Sequence, residues 1–121
     1  MGHVHQRVTV SAEKTATVSM LVDTGATFSV IPEALARTVG IKRLRRSVPI
    51  TLADGRQVRL AAGTAIVRIG RREAPATILV GGVVEPILGV ETLEALGLTV
   101  DSRRRRLAPS RNYAVRLGGY R

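Results

Sequence analysis

The chain has 121 residues, 45% of them hydrophobic, which suits one domain with a modest core and leaves too little for two ordinary ones. It contains no cysteine, which excludes disulfides, thiolate catalysis and Cys-based metal sites, and no apolar run reaches the roughly 18 residues of a membrane-spanning helix. With only Phe28, Tyr113 and Tyr120 as aromatics, the core falls to Val, Leu, Ile and Ala, whose β-branched members favour strands, so an all-β fold is expected.

Met1 to Val10 alternates polar with apolar residues and lacks the apolar core of a secretory signal, so a soluble, cytoplasmic protein is expected. Val4 to Val10 and Thr17 to Val22 read as two strands around a polar turn at Ser11 to Thr15, a hairpin whose second arm runs into Asp23-Thr24-Gly25. Pro32 opens a good first helical turn and Gly40 stops it, predicting a short helix over 32–39. Val48, Ile50 and Leu52 alternate like a half-buried strand, and Asp54-Gly55 between them and Val58 to Leu60 predicts a projecting hairpin. Ile66 to Ile69 and Thr77 to Val80 form two more strands around the turn Gly70 to Pro75. Ile87-Leu88-Gly89 is a short apolar segment, Glu91 to Leu96 a helix ended by Gly97, and Leu98 to Val100 a final strand. This reading gives one domain over 1–107 and a basic tail over 108–121. No internal repeat occurs, and there is no second Asp-Thr-Gly.

The formal charge of +10 is unevenly spread: residues 1–36 hold two basic and three acidic residues, whereas 37–121 hold seventeen and six. Lys42-Arg43-Leu44-Arg45-Arg46 and Arg103 to Arg106 could meet nucleic acid, an anionic membrane surface or an acidic partner, or form a solvated, arginine-biased surface.

Leu21-Val22-Asp23-Thr24-Gly25-Ala26 puts a carboxylate directly after a buried strand, where a glycine admits close approach of another backbone. Two readings fit those residues. Asp23 caps the strand in an Asx turn by bonding the amides of Gly25 or Ala26, or it is an acid–base group in an apolar-walled cleft. The wider pattern resembles the retropepsin family of single-domain aspartic proteases over residues 4–107. Asp23-Thr24-Gly25-Ala26 is followed by Ser29-Val30-Ile31-Pro32, and Ile87-Leu88-Gly89 precedes a helix, each once and in that order.

The resemblance implies a closed, retropepsin-like β-barrel with one or two short helices. Asp23 would be catalytic, Thr24 would brace it across a dimer, and Gly25 would admit the substrate backbone. Ala26, Ala53, Asp54, Gly55, Ile87 and Leu88 would bind substrate, with Leu52 to Val58 as a flap. Peptide hydrolysis without a metal or a covalent nucleophile requires one carboxylate as general base and a second as general acid, and one chain offers one suitable Asp. A homodimer with Asp23 on its two-fold axis meets that need. The expected partners are a second copy and a peptide or protein substrate, with no cofactor and no metal. His3 and His5 read as exposed strand-face residues, and Asp101 as the start of a turn. Two other functions remain open, a non-catalytic peptide-binding or dimerisation module with this fold and a basic nucleic-acid-associated domain.

Overall fold

The computed structural model describes residues 3–52 and 54–110. β1 (Val4–Ser11) and β2 (Thr15–Val22) form an antiparallel hairpin, with Val4 opposite Val22 and Ser11 opposite Thr15. After β2 come β3 (Ser29–Ile31), α1 (Glu33–Val39), β4 (Arg43–Thr51), β5 (Gln57–Ile69), β6 (Arg72–Val80), β7 (Ile87–Leu88), α2 (Val90–Leu96), β8 (Leu98–Asp101) and β9 (Arg106–Pro109). Strands run β1-β2-β7-β3-β6-β5-β4 across the main sheet, and a further pairing of β1 with β5, Val10 opposite Val67, closes the first six into a ring. The expected retropepsin-like barrel is therefore present, with β4 outside the ring on the flank of β5.

The main core fills the ring with aliphatic side chains, among them Val10, Met20, Ile31, Val67, Ile78 and Leu88, all 1% exposed or less. Both helices lay buried residues on it, Ala36 and Val39 from α1 and Leu93 and Leu96 from α2. A second, smaller cluster lies on the other face of the same strands. Ile31 joins the main core while its neighbour Val30 joins the second, and Leu79 is likewise separated from Ile78 and Val80. Alternation of side chains across a strand accounts for that division, and burial on both faces accounts for the unbroken apolar runs Val30-Ile31 and Ile78-Leu79-Val80.

Three elements differ from the sequence reading. The segments around Leu60 and Ile66 are one strand of 13 residues, β5, because β4 pairs with its first half, β6 with its second, and β1 with its end. β6 begins at Arg72, so the expected turn at Gly70 to Pro75 shrinks to Gly70-Arg71. A strand absent from that reading, β9, pairs back on β8 with Val100 opposite Leu107, and Leu107 packs against the main core. The Ser110 amide also donates to the Gly97 carbonyl at 2.8 Å, so ordered structure continues past residue 107. The rest of the expected tail, 111–121, lies outside the described residues. Among the described residues no helix is long and apolar enough to cross a membrane.

Because Ile78 is fully buried between β3 and β5, its truncation leaves a cavity that a closed ring cannot easily collapse. Ile78→Ala is expected to cost about 2–5 kcal/mol of stability. The check is a lower urea midpoint at an unchanged denaturant slope.

Candidate active site

Asp23 stands one residue beyond β2, and its surroundings follow from how two chain segments meet. Val22 pairs in parallel with Leu88, and the Asp23 amide donates to the Leu88 carbonyl at 3.0 Å. Beyond Asp23 the chain turns, with the Ala26 amide donating to the Asp23 carbonyl at 3.1 Å and the Gly25 amide to Asp23 Oδ1 at 2.9 Å. The Asx turn considered from sequence is therefore formed. It engages one carboxylate oxygen and leaves Oδ2 without a hydrogen bond among the described residues, and Asp23 as a whole is half-buried.

The turn is held from behind by the start of α2. A helix cannot satisfy its own first amides, and the cap position, Gly89, has no side chain to do so. The loop after Asp23 supplies the acceptors: Val90 donates to the Ala26 carbonyl and Glu91 to the Thr27 carbonyl, both at 2.8 Å. Gly89 itself donates to Ser29 Oγ at 3.0 Å, and the Ser29 and Thr92 hydroxyls meet at 2.6 Å, both side chains fully buried. Glu91, one residue before Thr92, accepts the Thr77 amide of β6 through Oε1 at 3.3 Å. Only glycine fits at position 89, since a Cβ there would lie 2.5 Å from both the carbonyl carbon and the oxygen of Phe28.

Beside this turn lies the second apolar cluster. Val30, Ala62 and Leu79 form its buried floor, and the half-buried Phe28, Val48, Ile50, Leu60, Val83 and Ile87 surround them. Ile87 connects the floor to the turn, because it pairs with both Leu21 and Val30. The β4–β5 hairpin contributes Val48, Ile50 and Leu60. At its tip Gly55 has φ 88°, a left-handed backbone that other residues adopt at a cost, and its amide closes the turn on the Leu52 carbonyl at 2.9 Å. Asp54 is tied within the same turn, accepting from the Arg56 amide at 2.9 Å and from Arg56 Nε at 2.7 Å. The amide first, and then the guanidinium, hold the Asp54 carboxyl below its ordinary range. A depressed carboxylate stabilises the turn above its ordinary titration range, and that support disappears as pH falls through the lowered value.

Of the residues singled out from sequence, Asp23, Thr24, Gly25, Ala26 and Ile87 gather at the turn and groove, while Asp54 and Gly55 lie at the tip of the hairpin. Ala53 lies outside the described residues. Leu88 requires correction. Expected to line the groove, its side chain is instead fully buried in the main core, because adjacent strand residues face opposite ways and Ile87 takes the groove side. Its contribution to the site is the carbonyl that receives Asp23. Sequence reasoning missed the Ser29–Thr92 pair, which has no local signature, and the groove residues Phe28, Val30, Leu60, Leu79 and Val83. The doubly apolar runs in β3 and β6 were the available signal for Val30 and Leu79. His5 is exposed and lies 3.6 Å from Glu85, and Asp101 opens a turn by accepting the Arg104 amide.

A one-lobed barrel that carries an Asp-Thr-Gly turn locked against an Ile-Leu-Gly segment defines the retropepsin-like class of aspartic proteases. The chain belongs to the family described as "gag-polyprotein putative aspartyl protease", whose model matches residues 8–95, a span that includes both segments. Among solved structures it is similar to the EIAV protease, determined in complex with the inhibitor HBY-793, with a TM-score of 0.68 and 22% sequence identity over 83% of this chain and 93% of that one. At that identity the likeness is one of fold. No curated protein sequence matches the chain.

Ser29→Ala would strand the buried Gly89 amide and is expected to cost about 1–3 kcal/mol in denaturant unfolding. Gly89→Ala should be the more severe change, since the obstructing atoms are backbone and cannot rotate aside. Equal stabilities for Gly89→Ala and the parent chain would contradict this packing.

Proposed function

We propose that the chain is an aspartic endopeptidase that works as a homodimer, each copy supplying one Asp23. The observation that carries this reading is the half-exposed Asp23 with an open Oδ2, in a turn backed by the buried Gly89–Ser29–Thr92 hydrogen bonds beside an apolar groove. Family membership and fold support the class of chemistry. One carboxylate cannot act as base and acid in the same step, so a second copy completes the pair, and the two carboxyls share one proton. The base draws a proton from water, the water oxygen attacks the peptide carbonyl, and the acid protonates the departing amine. Thr24 and Gly25 support the pair at the turn. The groove beside Ile87, covered by the β4–β5 hairpin, holds an extended peptide by strand-like backbone bonds and apolar contacts.

Asp23→Asn keeps the volume of the side chain and loses its acid–base function, so a folded chain without peptidase activity is expected. Cleavage at the parent rate by the purified variant would remove Asp23 from the mechanism. Peptide binding without cleavage by the parent chain would instead favour a binding module.

Activity should also trace a bell against pH, since the doubly protonated pair lacks a base and the doubly ionised pair lacks an acid. Both limbs belong to the pair and not to either Asp23 alone. The profile is to be measured on protein kept dimeric throughout, as judged by sedimentation; a rate climbing steadily into alkaline pH would point to another nucleophile.

A further inference from the structure

The turn joining β8 to β9 lies against the start of β1 and the end of β2, leaving a half-open cleft of about 320 Å³. Its apolar floor comes from Val4, Val22 and Val100. His3, Arg103 and Arg105 line it too, with the hydroxyl-bearing Thr24 and Ser102, and among the described residues no acidic one lines it. Asp101, the nearest carboxylate in sequence, accepts the Arg104 amide and lies 3.9 Å from Arg104 Nε. Among the described residues neither Arg103 nor Arg105 has an ion-pair partner. Arg105 is also held at φ 53°, a left-handed backbone unfavourable for a long side chain.

Guanidinium groups present paired N–H donors that match the edges of tetrahedral oxyanions. We infer that this cleft binds an oxyanion of the phosphate type, and that its occupancy strengthens pairing of two chains. The second part rests on the homodimer proposed above. Thr24 lines the cleft and is the residue next to Asp23, so bringing two Asp23 carboxylates together places both clefts close to the two-fold axis. Two sets of Arg103 and Arg105 then converge at an interface that excludes water, where like charges repel more strongly than in solvent. An anion between the guanidiniums offsets that repulsion, and a ligand that prefers the paired state shifts the equilibrium toward it by mass action.

The test uses the full chain, with inorganic phosphate replacing chloride at constant ionic strength. Sedimentation should show pairing strengthened several-fold by millimolar phosphate, and Thr24 and Ser102 amide resonances should shift with saturation. The double variant Arg103→Gln/Arg105→Gln should lose both responses and pair more tightly than the parent without phosphate. Arg45→Gln/Arg46→Gln removes the same charge from exposed positions on β4 and should keep both. Matching thermal unfolding of the two variants establishes that each is folded. An equal gain from chloride would reduce the effect to screening and overturn the site, as would an unchanged response in the first variant. An oligonucleotide phosphodiester that displaces bound phosphate would assign the oxyanion to nucleic acid; failure to displace would assign it to the free ion. Saturable phosphate shifts in a chain that stays monomeric would retain the cleft and reject the dimer, whereas pairing and activity without phosphate shifts would reject the cleft alone.

Discussion

The first amides of α2 donate to carbonyls of the loop that carries Asp23, and much of the molecule is arranged around that exchange. A helix of seven residues is too short to persist by itself in water, and its unsatisfied N–H groups need acceptors from elsewhere. The loop has the complementary problem, since its carbonyls turn inward beside the core. Each segment completes the other, and the buried Ser29–Thr92 pair seals the junction, where an unpaired hydroxyl would be costly. At the other end of α2, Gly97 takes a left-handed backbone and Arg72 reaches from β6 to the Leu96 and Gly97 carbonyls, both at 3.1 Å. The helix is thus held at both ends by groups outside it.

A ring of six strands has few exposed edges, and the structure uses the two sides of its wall differently. One side closes over a buried aliphatic core. The other, along β3, β6 and the first half of β5, stays apolar but only half-covered, with Val48 and Ile50 of β4 packed beside it and still partly exposed. A small domain that leaves apolar surface beside a fixed carboxylate gives up burial it could have used for stability, which is the usual mark of a surface kept for binding.

Most of the positive charge sits on exposed residues. In β4 the register slips between Arg43 and Ser47, so Leu44, Arg45 and Arg46 bulge outward and are exposed. Arg43 returns to α1, where its guanidinium pairs with Glu33. A bulged, arginine-rich edge strand resists pairing with a strand of another molecule, which gives this cluster a physical role without any ligand.

By itself the sequence determined the things governed by neighbours along the chain. The hairpins at Ser11 to Thr15 and Asp54-Gly55, the helices ended by Gly40 and Gly97, and the position of Asp23 at the end of a strand all follow from alternation, turn chemistry and helix stops acting over a few residues. The paired segments around Asp23 and Gly89 were legible as a resemblance. Tertiary structure alone decided which face each residue takes and what distant groups it meets. Leu88 and Ile87 are chemically alike, and only the parallel pairing of β7 with β2 sends one to the core and the other to the groove. The continuity of β5 depends on three partner strands, and β9, with its arginine-rich approach, forms because β8 offers a free edge and the core accepts Leu107. Ser29 and Thr92, 63 residues apart, carry no mark in the sequence of the bond they share, since their environment is assembled only when the ring closes.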